Sequence, residues 1–78
     1  MKYNGIKYKK MSHKIVALLI SKYSEVLSVA LNNVGRKITL ENPKNGASVT
    51  IEVVDSIAFC TFTNRDGEDI RCYLSLEA

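Results

Sequence analysis

Apolar positions along the chain change their period at Gly35. Before it, residues 12–34 repeat apolar side chains at spacings of three and four, which predicts one amphipathic helix. Ser12 is suited to cap its first turn, and Gly35 to end it in the left-handed conformation. The predicted buried stripe is Val16, Ile20, Tyr23, Leu27, Ala30 and Val34. After Gly35 the period becomes two, which predicts strands at about 37–41, 48–54, 57–63 and 69–76.

Turn residues between these strands predict one strand pairing. We expect a two-residue turn at Asp55-Ser56, a glycine bulge at Gly67 and a loop at 43–46. All three turns place one apolar set on the same sheet face: Ile38, Leu40, Val49, Ile51, Val53, Ala58, Cys60, Phe62, Ile70, Cys72 and Leu74. The helix is expected to cover that face. The predicted fold is therefore α+β, with one amphipathic helix packed on a four-stranded antiparallel meander in a single domain, residues 12–78.

A basic arm, residues 1–11, precedes the predicted domain. Asn4-Gly5 is a turn signal, and residues 6–9 alternate like a short strand. The arm is therefore expected to be either an edge strand or a mobile segment. Met11 is an alternative start of the chain, since Ser12 begins the first strongly patterned element.

The outer face of the predicted sheet is mostly polar but carries one apolar group. We call Val54, Ile57, Phe59 and Tyr73 the outer cluster, because the pairing brings them together. Small domains seldom expose such a group, so we interpret it as a surface for a protein partner or a second copy, with Phe59 and Tyr73 as aromatic anchors. Two alternatives are that the arm covers it through Tyr3, Ile6 and Tyr8, and that its members are ordinary surface apolar residues. A weaker second candidate is the pair Leu18 and Val29 on the polar side of the helix.

Charge is divided unequally between the two halves of the chain. Residues 1–37 carry eight basic and one acidic side chain (8 − 1 = +7), and residues 38–78 carry three basic and seven acidic ones (3 − 7 = −4), which gives the net +3. The densest positive segment interleaves lysines with tyrosines: Lys2, Tyr3, Lys7, Tyr8, Lys9, Lys10 and Lys14. Such a segment can neutralise phosphates and stack on unpaired bases. The alternatives are a solvating lysine-rich terminus and contact with an acidic protein.

Catalytic, metal and cofactor chemistry is not indicated by any group of residues. His13 is the single imidazole and lies far in sequence from Cys60 and Cys72, so no nucleophile, base and orienting group converge. We expect no enzyme activity, no metal, no cofactor and no small-molecule substrate. The two cysteines are interpreted as buried core thiols, with a cross-strand disulfide as the oxidised alternative, and they favour a cytoplasmic protein. The longest apolar run, 15–20, is too short to cross a membrane.

No family motif is present in the chain. Its compact, lysine-, isoleucine-, asparagine- and serine-rich character suggests a small accessory protein of a bacterium or its virus. We expect a non-catalytic protein-binding module, such as an inhibitor or adaptor that occludes a partner surface, with another protein or a second copy as partner. The alternative is sequence-independent nucleic-acid binding through the basic arm.

Overall fold

Two helices lie against a mixed five-stranded sheet in this protein, whose computed structural model describes residues 1–77. The elements are β1 Lys2–Tyr3, β2 Ile6–Lys7, β3 Lys9–Lys10, α1 His13–Lys22, α2 Ser24–Leu31, β4 Lys37–Glu41, β5 Ser48–Val54, β6 Ile57–Thr63 and β7 Asp69–Ser75. The strand order is β3-β7-β6-β5-β4, while β1 and β2 form a separate hairpin. The predicted α+β class is confirmed.

Strands β4 to β7 are antiparallel neighbours and pair in the predicted register. The central row joins Ile38, Ile51, Cys60 and Cys72. Asp55 and Ser56 have φ of 51° and 62°, as a two-residue type I′ hairpin turn requires. These strands therefore present the predicted apolar face.

The sheet is larger than predicted because the arm contributes a fifth strand. β3 runs parallel to β7, with Lys9 opposite Cys72 and Lys10 opposite Tyr73. The Met11 amide then donates to the carbonyl oxygen of Tyr73 at 2.9 Å, and the Met11 side chain enters the core. The prediction of a four-stranded meander is thus incomplete. Of the two expectations for the arm, the edge strand is the one observed, and it is formed by residues 9–10.

The predicted single helix over residues 12–34 is wrong, because the chain breaks at Tyr23 and helix α2 ends at Leu31. Ser12 does cap α1, accepting a hydrogen bond from the Ile15 amide at 3.3 Å. A straight helix of that length would extend about 35 Å, whereas seven-residue strands extend only about 23 Å. The break lets two short helices fold back over the sheet. It also changes which side chains are buried, and Ile20 of the predicted stripe is exposed.

Core side chains come from both layers. Met11, Leu19, Val26 and Ala30 pack on sheet residues Val49, Ile51, Val53, Ala58, Cys60 and Cys72. None of the helices in residues 1–77 is long and apolar enough to cross a membrane.

Cover of the sheet by the helices is incomplete at the end that carries the 64–67 turn. There one row crosses the sheet from Leu40 through Val49 and Phe62 to Ile70. Val49 in the middle is 1% exposed, but Leu40 and Ile70 at the two sides are 48% and 55% exposed. These two were expected to be covered, and that expectation is wrong, because the two helices meet over the centre of the row, where Tyr23 lies against Phe62.

Candidate functional site

The outer cluster lies on the sheet face away from the helices, and its strongest anchor is covered by the arm. The Tyr3 ring stacks on Phe59 with centroids 4.4 Å apart, and the Tyr8 ring meets Phe59 edge-on at 5.0 Å. Phe59 is only 6% exposed as a result. At Phe59 the structure therefore agrees with the alternative in which the arm covers the outer cluster.

A buried carboxylate fixes the arm at the same place. The Tyr3 hydroxyl donates to Oε2 of Glu52 at 2.6 Å, and Glu52 is 9% exposed. This hydrogen bond, together with burial, raises the pKa of Tyr3 above its ordinary value. In addition to the backbone pairing of β3 with β7, the arm is thus held by ring packing and by one side-chain hydrogen bond that needs the protonated tyrosine.

The remaining outer-cluster residues keep partial exposure. Val54 pairs with Ile57 across the Asp55-Ser56 turn, and Tyr73 stands opposite Phe59. Val54, Ile57 and Tyr73 are half-buried. A partner surface at the outer cluster remains a prediction, with less area than the sequence indicates.

The lysines of the arm are exposed, whereas its tyrosines pack on Phe59. Lys2 and Lys7 face each other across the β1-β2 hairpin, Lys9 and Lys10 lie on the sheet edge, and Lys14 lies in the first turn of α1. Within residues 1–77 the one ion pair joins Arg71 to Asp69 at 2.9 Å, so ion pairing does not hold the arm's lysines. Lys7, Lys9 and the Arg71-Asp69 pair border a concavity of about 450 Å³, which we call the basic concavity because its two lysines are not part of that pair. Phosphate contact by the arm's exposed lysines therefore stays a prediction, whereas Tyr3 and Tyr8 pack on Phe59 and are not free to stack on bases.

The two cysteines lie opposite each other in the core. Both are free thiols, as interpreted from the sequence, and burial raises the pKa of Cys60 to about 12. Such thiols are poor nucleophiles and poor metal ligands at neutral pH. Residues 1–77 contain no group of three or more His, Cys, Asp or Glu side chains placed to hold a metal ion.

Several elements form an apolar groove on the helix side of the sheet. It has a volume of about 230 Å³ between α1 and the end of the β6-β7 hairpin. Its apolar walls are Ile15, Leu18, Tyr23, Phe62 and Ile70, and its polar rim includes Asn64 and Glu68. We call this surface the apolar groove.

Sequence reasoning locates only part of the apolar groove. Leu18 is flagged by its position on the polar side of the helix, and the structure places it beside Ile70, which was expected to be covered. Val29, the other flagged residue, lies apart from this groove, next to β4. The groove could have been found from the row of four apolar residues that crosses the predicted sheet from Leu40 to Ile70. Such a row is too wide for the helical segment to cover at both ends.

Comparison with known protein families, with curated proteins and with solved structures finds no match to this chain.

Proposed function

We propose that this protein is a small non-catalytic protein-binding module of a bacterium or its virus, an inhibitor or adaptor that occludes a surface of its partner. The observation that carries the proposal is the apolar groove. Ile70 and Leu18 line it with exposed aliphatic side chains. Covering aliphatic surface with a partner stabilises the complex by about 25 cal/mol per Å². A cytoplasmic setting is part of the proposal and is supported by the two free thiols.

The dimensions of the groove favour a side-chain anchor of a protein over a small ligand. Its volume of about 230 Å³ is below the roughly 300 Å³ at which small-molecule pockets usually begin. An apolar floor with a polar rim, here Asn64 and Glu68, is also the usual arrangement around a buried hot spot. The expected partner therefore inserts one large apolar side chain.

Substitution of the groove tests this proposal. Leu18→Ser together with Ile70→Thr removes apolar walls at exposed positions, and threonine keeps the β-propensity of the strand. Ile20→Ser is the matched control, since Ile20 is on the same helix, is 59% exposed and does not line the groove. The measurement is capture of partners from source-cell lysate, with and without nuclease. We expect a nuclease-resistant partner that the control retains and the groove variant loses, and equal capture by both variants would refute the proposal.

The outer cluster is a second proposed contact area for a partner or a second copy. Because Phe59 holds the arm, its replacement would disturb the fold, and Ile57→Ser with Tyr73→Ser is the cleaner test. Loss of partner capture or of self-association in this variant, with an unchanged circular dichroism spectrum, would assign contact to the outer cluster. Unchanged binding and solution mass would remove it.

Nucleic-acid binding is the alternative function, and the exposed lysines around the basic concavity favour it. Since Tyr3 and Tyr8 pack on Phe59, binding would depend on phosphate contacts alone and fall steeply with salt. Lys7→Gln with Lys9→Gln should reduce the salt slope of binding to single-stranded DNA, while a Lys22→Gln control should not. Salt-independent binding, or equal slopes in both variants, would exclude this mechanism.

A further inference from the structure

The two edges of the sheet differ in how they are protected. At one edge β3 has two residues, Lys9 and Lys10, both exposed. Short, lysine-rich edges are a usual defence against pairing with other strands. At the other edge β4 runs for five residues, Lys37–Glu41, pairs with β5 on one side, and has no strand from residues 1–77 on the other. This second edge is therefore able to accept another strand.

The hydrogen-bond pattern shows which β4 groups are directed outward. The Asn42 amide donates to the Ala47 carbonyl oxygen at 2.8 Å, in the same ladder that pairs β4 with β5. Because antiparallel ladders alternate, Leu40 and Ile38 direct their backbone groups at β5. Lys37, Thr39 and Glu41 then direct theirs at the open edge.

The β4 sequence is complementary to itself when reversed. In an antiparallel pair of two copies centred on Thr39, each Lys37 stands opposite the other copy's Glu41, and each Ile38 stands opposite Leu40. Lys37, Thr39 and Glu41 also carry the outward backbone groups, so this register forms six hydrogen bonds across the seam. Opposite charges facing each other across a strand pair are stabilising. A shift by two residues leaves Lys37 or Glu41 without an outward-directed partner in each copy and separates the charges.

Apolar contacts on the helix side point to the same occupant. Ile38 and Leu40 lie on the helix side, where Val29 of α2 joins them around a groove of about 180 Å³. A two-fold axis perpendicular to the sheet keeps the helices of both copies on this side, so Leu40 of one copy covers Ile38 of the other. Such an interface is closed and uses one surface twice.

We propose that the open edge of β4 binds a second copy of this chain, which makes a symmetric dimer with one continuous ten-stranded sheet. This interface is separate from both the apolar groove and the outer cluster. It therefore stands or falls independently of the proposed function.

Thr39→Pro is the sharpest test of this interface. Proline removes the outward amide of Thr39 and keeps the β4-β5 ladder, because edge strands tolerate proline where the amide faces solvent. Thr39→Ala is the matched control, since it loses the same side chain and keeps the amide. We expect the wild type and the control to reach twice the 8.7 kDa mass of one chain in sedimentation from micromolar to millimolar concentration. Thr39→Pro should raise the dissociation constant by roughly 10- to 100-fold.

A charge variant and hydrogen exchange keep the test decisive if the proline variant fails to fold. Glu41→Lys puts two lysines opposite each other at both ends of the seam and should dissociate the dimer, whereas Glu41→Gln should weaken it less. In the wild type the Thr39 amide should become protected from exchange as concentration rises, while the Leu40 amide is protected throughout. A monomer at millimolar concentration, or a dimer with a fast-exchanging Thr39 amide or with unchanged affinity in Glu41→Lys, would overturn the proposal.

Discussion

Phe59 makes the two aromatic contacts that hold the arm on the sheet, so its replacement tests that packing. Phe59→Leu keeps an apolar side chain at this buried position, but the smaller residue carries a cost of its own for the volume it leaves empty. It removes the stack on Tyr3 and the edge contact with Tyr8. Each aromatic pair contributes about 0.5–1.5 kcal/mol beyond its buried area, so losing both lowers the free energy of unfolding by about 1–3 kcal/mol in addition to the cost of the smaller side chain. The midpoint should fall by about 4–8 °C for each kcal/mol in a domain of this length.

Thermal unfolding and hydrogen exchange together measure this effect. The Tyr8 amide donates to the Met1 carbonyl oxygen at 2.7 Å and reports on the arm, whereas the Ile51 amide reports on the central sheet. In Phe59→Leu the Tyr8 amide should lose protection before global unfolding, while the Ile51 amide follows global unfolding. Phe62→Leu is the control, because the same substitution on the helix side should leave arm exchange coupled to the rest. Unchanged stability and unchanged Tyr8 exchange in Phe59→Leu would refute the role of the three rings.

Three further predictions concern the turn, the arm and the core thiols. Ser56→Gly should raise the free energy of unfolding by about 0.5–1 kcal/mol in urea titration, because Ser56 has a positive φ of 62° that glycine adopts without strain. The raised pKa of Tyr3 means that the folded state keeps a proton that the unfolded state releases; this contribution to stability is complete below about pH 10 and lost as pH rises further. Urea midpoints of Tyr3→Phe should therefore fall less above that pH than those of the wild type. Burial of Cys60 and Cys72 predicts that iodoacetamide labels neither thiol in the native protein at neutral pH and both in urea, and rapid native labelling would contradict this.

Pairing of β4 to β7 is predictable from the sequence because its constraints are local and agree with one another. The turn at Asp55-Ser56, the bulge at Gly67 and the loop after Glu41 each select a register, and all three give the same apolar face. A one-residue slip would move that set to the solvent face. Local turn chemistry and face alternation are therefore sufficient for this half of the fold.

The path of the arm and the break in the helix depend on contacts between distant residues. No local turn connects Lys9 to Cys72, so turn residues do not predict their parallel pairing. Whether Phe59 is covered depends on where the chain places Tyr3 and Tyr8. The sequence names the arm residues that could cover Phe59, but it does not decide between a covered and an exposed Phe59. The break at Tyr23 follows from the size of the sheet, which is known only after the strands are assembled.

Candidate contact surfaces are predictable only in part for the same reason. Ile70 and Leu40 have the alternation of core residues, yet they lie at the sides of a row that two short helices cover only in the middle. Exposed Ile70 lines the apolar groove, and exposed Leu40 lies on the apolar side of the β4 edge. Leu18, by contrast, can be flagged from the helical periodicity alone.

Site-specific photocrosslinking tests the central claim, that a partner contacts the apolar groove, most directly. A photoreactive amino acid replaces Leu18 in one variant, Ile57 in a second and Ile20 in a control, and each is irradiated in source-cell lysate treated with nuclease. We predict one discrete protein adduct at position 18, and none at position 20. An adduct at position 57 with none at position 18, or no position-specific adduct at all, would contradict the claim that the groove is where contact is made.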